Sequence, residues 1–421
     1  MRGTIFQNKM ANVCSVSWNR KSLKTTVHLP SSKSISNRLL IIKALSRKSF
    51  SIKNLSEADD TKLLQELLYS KEKILDAQNA GTCFRFLTAY LAQKEGDWIL
   101  SGTERMKQRP IGALVNALKK LGADIKYLEK ENYPPLGIRG KKLNGTSLEM
   151  DASESSQFVS ALLLIAPYIH GGLKLKLTGD QSSTPYINMT LRLMKQSGIK
   201  ILNDGGVIEI PQQEYMPENY TVESDWSSAA FWYAMAALCD SDVSLKGLET
   251  ESVQGDAVIA EWMNALHVET HFVKDSVIVN HHKKLTEKKY AFNFRQHPDL
   301  APALFVLCAA LSVEAIFSGI KNLSIKESNR AEALKTELEK CGAKIIKVND
   351  DEYHLKPHPL TISPNGAWAF ETYHDHRLAM AFAMLAIPLG KVEIKNPAVV
   401  RKSYPGFWND LRSAGFEILF S

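Results

Sequence analysis

Apolar and polar positions along this chain fall into two recurring helical patterns. Six segments start with polar, cap-forming residues and continue as helices that are apolar on every face: Lys33 to Leu45, Gly81 to Leu91, Gln157 to Ile169, Ser227 to Leu238, Pro298 to Leu311 and His376 to Leu389. Helices without a polar face belong inside a domain. A second six are amphipathic: Asp59 to Tyr69, Pro110 to Leu121, Thr184 to Gln196, Gly255 to Leu266, Asn329 to Cys341 and Tyr404 to Ser413. Four of these run into a glycine (Gly122, Gly198, Gly342, Gly415) and then a β-patterned stretch, the expected way for a helix to stop.

Between the helices lie short alternating runs such as 25–29, 173–177 and 277–279, which predict strands with one covered face. One buried helix, one amphipathic helix and several strands thus recur about every seventy residues, a longer period than common solenoids show. Six such α/β units are too many for one core. The expected division is three and three, with the break near Val222–Asp225, where the fourth unit starts. A strand-like run, Val13–Trp18, precedes the first unit and assigns the N-terminus to the second half. The predicted domains are residues 1–31 with 224–421, and residues 32–223, hinged near 29–32 and 222–226.

Composition narrows the class. A hydrophobic content of 44% and a charged content of 23% are those of a soluble globular protein. The net charge of +7 over 421 residues fits anionic small molecules as well as nucleic acid, and no basic block favours the latter. The five cysteines are dispersed and form no C-x-x-C pair, so neither a disulfide framework nor a metal site is expected. Residues 1–24 are polar and read as no secretory leader, and no apolar run reaches membrane-spanning length. The expectation is a cytoplasmic monomer without a nucleic-acid or membrane partner.

Chemistry concentrates at helix starts, where unpaired N–H groups and the positive dipole end attract anions. In Pro30-Ser31-Ser32-Lys33-Ser34, a proline and serines lead into the first buried helix, with Arg38 one turn beyond Ser34. Asn79-Ala80-Gly81-Thr82 opens the second, and Gly81 allows close approach to the backbone. Arg109 precedes a helix predicted to begin with Pro110, a position where an arginine gains nothing locally. Ser155, Ser156 and Gln157 offer three uncharged donors. Lys326-Glu327-Ser328-Asn329-Arg330, Asp375-His376-Arg377 and Arg401-Lys402-Ser403 repeat the theme. A solvated face explains any one of these runs but not their recurrence at equivalent points. If those ends share a cleft, its ligand is multiply anionic.

Taken together in this order, these motifs resemble the 5-enolpyruvylshikimate-3-phosphate (EPSP) synthase family from about Lys24 to the C-terminus. The resemblance implies an inside-out α/β barrel of two domains, each of three βαβαββ units. It implies transfer of the enolpyruvyl group of phosphoenolpyruvate to the 5-hydroxyl of shikimate 3-phosphate, without metal or organic cofactor. Shikimate 3-phosphate would be held by Lys33, Ser34, Arg38, Ser155, Ser156, Gln157, Ser183, Tyr186, Asp299, Asn322 and Lys326. Phosphoenolpyruvate would meet Lys33, Gly81, Arg109, Gln157, Arg330, Arg377 and Lys402. Asp299 is the candidate base for the hydroxyl. Glu327 is the candidate for proton transfer at carbon, with Lys33 the competing acid. His376 is expected to act by holding Arg377 in position.

Departures from the family pattern are informative. Ser32 stands where glycine is usual, and Asn329 where aspartate often precedes the arginine. Phe84 and Phe86 flank Arg85 where smaller residues are frequent. Gly81 retains the residue associated with sensitivity to glyphosate. The sister transferase acting on UDP-N-acetylglucosamine carries a cysteine before its arginine-proline pair, whereas residues 103–108 here contain none.

Overall fold

Helices occupy 33–45, 59–69 and 184–196, the bounds that the apolar pattern predicts. The computed structural model describes residues 12–421 except 154, 180, 181, 205, 275 and 283–286. The reading of residues 1–24 therefore lies partly outside the described residues. Every residue of helix Trp226–Ala236 is buried, as are residues 301–309 of helix Ala301–Ala310. These helices have no solvent face, as their composition requires. The four glycines after amphipathic helices all have left-handed φ, from 86° at Gly198 to 101° at Gly415. Their lack of a Cβ makes that turn cheap.

The helix expected from Tyr404 begins at Phe407, and the one expected from Gly255 opens as a 3₁₀ turn, Gly255–Val258, before Ile259–Asn264. Two further starts that differ from expectation bear on the site. The helix expected from Pro110 begins at Gly112, because Ile111 turns away (φ −139°) and its N–H bonds Asn132 O. Arg109 instead follows the short helix Glu104–Lys107, its N–H donating to Met106 O. The helix expected from Pro298 begins at Ala301, after a turn closed by Leu300 N–H on His297 O. Asp299 therefore sits on that turn, in front of the helix.

Five four-stranded sheets share one pairing scheme, in which an outer parallel pair is followed by two antiparallel pairs. In one of them Ser147–Asp151 pairs parallel with Leu173–Thr178, which pairs antiparallel with Val207–Ile210 and through it with Leu202–Asp204. Among the described residues the remaining sheet is a parallel pair, Ile52–Lys53 with Tyr220–Thr221. The N-terminal strands Val13–Ser17 and Ser22–His28 join sheets made otherwise of residues beyond 239.

The buried apolar residues form two clusters. One combines residues 14–29 with residues from Trp226 to Ile418, and the other runs from Ile35 to Val222 with Val253. The chain passes between them at 29–35 and 222–226, and these passages are bonded to each other. Ser32 N–H donates to Glu223 O (2.9 Å) and Asp225 N–H to Pro30 O (2.8 Å). Among the described residues, no helix is long and apolar enough to cross a membrane.

Candidate active site

A single cleft between the two cores is lined by every candidate residue except Lys402. Seven Lys or Arg side chains, four carboxylates, His376 and the Tyr186 phenol are the ionisable groups of its lining, leaving an excess of basic over acidic side chains. Lys402 lies just beside it and donates from Nζ to Asn79 O across the gap (2.9 Å).

The first core contributes helix starts. Ser32 caps helix 33–45 and Ser155 caps helix 156–165. Lys33 projects from the first of these and pairs with Asp60 Oδ2 at 2.9 Å, both side chains being largely buried. Asp60 escaped the sequence reading, because an acid in a helix first turn is ordinary helix chemistry. Arg38 is buried and donates to Thr190 Oγ1, Ser160 Oγ, Ser34 O and Tyr186 O. These bonds use four of its five N–H donors. Burial also brings its pKa down to about 10.

Arg109 is buried, and its Nε and Nη1 have no partner among the described residues. Burial lowers its pKa, an effect that Glu327 partly offsets. Buried guanidinium donors left without an acceptor are costly, and an anion would satisfy them. Gly81 lies against this group: a Cβ there would stand 2.7 Å from Arg109 Nη1. Ser183, at the start of helix 184–196, holds a left-handed φ of 58°, a strained conformation for serine.

The second core contributes an ion network. Arg330 donates from Nε to Asp375 Oδ2 (2.8 Å), from Nη1 to Asp299 Oδ1 (2.9 Å) and from Nη2 to Glu327 Oε2 (2.7 Å). Arg377 Nη2 binds Asp299 Oδ2 (2.7 Å). Tyr186 OH, from the first core, lies 3.0 Å from the same oxygen. Burial pushes the Glu327 carboxyl up, but Arg330, Lys402 and Arg109 outweigh it and hold the group well below the usual carboxylate range. At Asp299 burial is likewise overcome by Arg377, Arg330 and Lys326. Both carboxylates are ionised. Asn329, the departure from the family pattern, caps its own helix by accepting from Glu332 N–H. Arg330 is oriented instead by Asp375, so the lost charge leaves it anchored.

His376 makes no hydrogen bond to Arg377; its Nδ1 lies 3.8 Å from Asp375 Oδ1, which accepts from Arg377 N–H. Its ring nitrogens make no hydrogen bond among the described residues, and Asp299 anchors the arginine. Burial, followed by the charges of Lys33 and Arg377, pushes its pKa well below the ordinary histidine value. The ring is neutral.

The family model for EPSP synthase (3-phosphoshikimate 1-carboxyvinyltransferase) matches residues 18–70 and 62–411. The chain belongs to the EPSP synthase family. A 3-phosphoshikimate 1-carboxyvinyltransferase of Bacteroides fragilis is 44% identical over 399 residues, covering 94% of this chain and 96% of the relative. The EPSP synthase of Acinetobacter baumannii superposes with a TM-score of 0.75 at 21% identity, covering 97% of this chain and 99% of that one. The enolpyruvyl transferase NikO of Streptomyces tendae gives 0.77 at 14% identity, covering 98% and 99%. These two likenesses concern the mixed α/β fold alone. The EPSP synthase assignment rests on sequence.

Proposed function

We propose that the cleft binds shikimate 3-phosphate and phosphoenolpyruvate together and joins them by addition and elimination. The observation that carries this is the meeting of cations from both cores with the Asp299 and Glu327 carboxylates of the second around one cleft. Lys33, Ser34, Arg38, Ser155, Ser156, Gln157, Ser183, Asn322 and Lys326 hold the phosphorylated ring, which rests on Tyr186. Arg109, Arg330, Arg377, Lys402, Gln157 and the Gly81 backbone hold phosphoenolpyruvate.

Asp299 takes the proton of the 5-hydroxyl as its oxygen attacks C2 of phosphoenolpyruvate, and C3 receives a proton from Lys33, because Glu327, the other candidate donor, is ionised. The product of this step is a tetrahedral ketal. Ionised Glu327 then removes a proton from the new methyl group as the C2–O bond to phosphate breaks. The cations stabilise charge on carboxylate and phosphate throughout. Two closing domains fit this chemistry, because closure excludes water from the ketal. The two apolar clusters and the repeated sheet scheme support residues 1–31 with 224–421, and 32–223, as those domains, each of three βαβαββ units in an inside-out barrel. The cross-bonded passages at 29–32 and 222–226 are the hinge. The protein acts as a cytoplasmic monomer.

The test is phosphate release. Phosphate appears only when both substrates are present. Release from phosphoenolpyruvate alone at the same rate overturns the reading.

A further inference from the structure

The 3₁₀ helix Lys321–Ile325 belongs to the second core, yet it is gripped at both ends by the first. At its start, Asn322 Nδ2 donates to Ser153 O (3.1 Å) and Ser182 Oγ (2.8 Å). At its end, Arg105 donates from Nη2 to Ser324 O (3.4 Å) and Lys326 O (3.0 Å), and from Nε to Glu327 O (3.2 Å). Ser324 O and the cap carbonyl Lys326 O are carbonyls that a short helix leaves unpaired at its negative end, where a cation is favoured, and Glu327 O follows directly. The last two are also the backbone of the two residues whose side chains reach the cleft.

We infer that Arg105 is a positioning residue that makes the placement of Lys326 and Glu327 conditional on the closed cleft. The link to substrate is local. Arg105 lies on the short helix Glu104–Lys107, whose Met106 is buried, and Arg109 N–H bonds Met106 O directly after it. One rigid turn therefore carries both arginines. Arg109 presents unpartnered donors to the cleft while Arg105 grips the far backbone. An anion drawn to Arg109 fixes this turn, and the turn fixes Glu327. Arg105 itself is only half-buried, so the grip is released without a large desolvation change. Lysine, with one compact charge, reaches fewer of the three carbonyls than the planar fork does.

This rests on the reading that the cleft takes the two substrates, and the experiment separates the two claims. Arg105→Ala and Arg105→Lys are compared with the parent chain by steady-state kinetics, thermal unfolding and amide hydrogen exchange at 326–330. In Arg105→Ala, kcat falls at least ~10-fold while the KM for shikimate 3-phosphate stays within about threefold. The unfolding midpoint stays within about 2 °C. Arg105→Lys recovers part of kcat. Amides 326–330 exchange faster in Arg105→Ala even without substrate, which judges the grip whether or not the parent turns over. A kcat within about twofold of the parent, a lysine variant no better than alanine, or unchanged exchange each overturn the inference. A parent chain that releases no phosphate, with faster exchange in the variant, overturns the proposed function and leaves the grip standing.

Discussion

Glu327 and Arg330 form a buried ion pair three residues apart, Oε2 to Nη2 at 2.7 Å, at the start of helix Arg330–Lys340. Arg330 is shared with Asp299 and Asp375, so one guanidinium orders three carboxylates. That sharing keeps Glu327 ionised and makes it readier to accept a proton than to donate one. Glu327→Gln keeps the shape and one hydrogen bond but removes the base. The expected outcome is shikimate 3-phosphate binding within a few-fold of the parent and turnover reduced by at least ~10²-fold. Titration calorimetry and phosphate release check it. Near-normal turnover removes the assignment.

Gly81 lies directly against the Arg109 guanidinium. A methyl group at Gly81 would overlap the Arg109 guanidinium and displace it. Gly81→Ala is therefore expected to raise the KM for phosphoenolpyruvate by roughly 10-fold or more and to weaken glyphosate, with less effect on shikimate 3-phosphate. A double-mutant cycle with Arg109→Lys reads the route. Coupling between the two sites supports displacement of Arg109, whereas additive effects indicate that the methyl crowds the ligand directly.

His376 is buried, and burial holds its pKa well below the ordinary histidine value, so titration of the imidazole is not expected to shape the pH profile. In His376→Asn, the shape of the kcat–pH profile between about pH 6 and 8 should match the parent, whatever happens to its height. A lost limb in the variant would show that the imidazole titrates there.

Stability carries a pH signature of its own where the chain passes between the two cores. Burial pushes Glu223 from 4.5 up to about 7, while Ser252 Oγ and Val253 N–H donate to its Oε1. The folded state prefers the protonated acid. Its contribution is complete below the unfolded value near 4.5 and is lost as pH rises through about 7. Glu223→Gln should remove that loss and become the more stable protein at pH 8, by on the order of 1–3 kcal/mol. Denaturant midpoints at pH 5 and pH 8 test it. A parent chain whose stability does not fall between those values contradicts it.

The helices were legible wherever apolar periodicity and caps agree, as in 33–45, 59–69 and 184–196. Proline misled at two positions. Pro110 and Pro298 are acceptable first helical residues, but at 111 a long-range bond to Asn132 O and after 298 a turn on His297 O took precedence. Local sequence does not encode the partner at Asn132, and the i→i+3 turn at His297 competes with a helix that proline permits equally well. The candidate residues were legible as motifs because charge at a helix start has a local signature. Asp60 and Arg105 were not, since each acquires its role from a residue distant in sequence, Lys33 and Lys326 respectively. The second-half character of residues 13–28 was readable only because a strand precedes the first repeat, and its partners at 240–246, 391–395 and 417–420 become visible in the folded chain.

Addition and elimination in the cleft requires protonation at C3 of phosphoenolpyruvate before phosphate leaves. The direct measurement is the isotopic composition of the product formed from shikimate 3-phosphate and phosphoenolpyruvate in deuterium oxide, read by mass spectrometry and NMR. A ketal with a methyl group loses any of three hydrogens, so the enolpyruvyl methylene of the product should contain deuterium. A product formed at full rate with no deuterium at that carbon would contradict addition and elimination in this cleft.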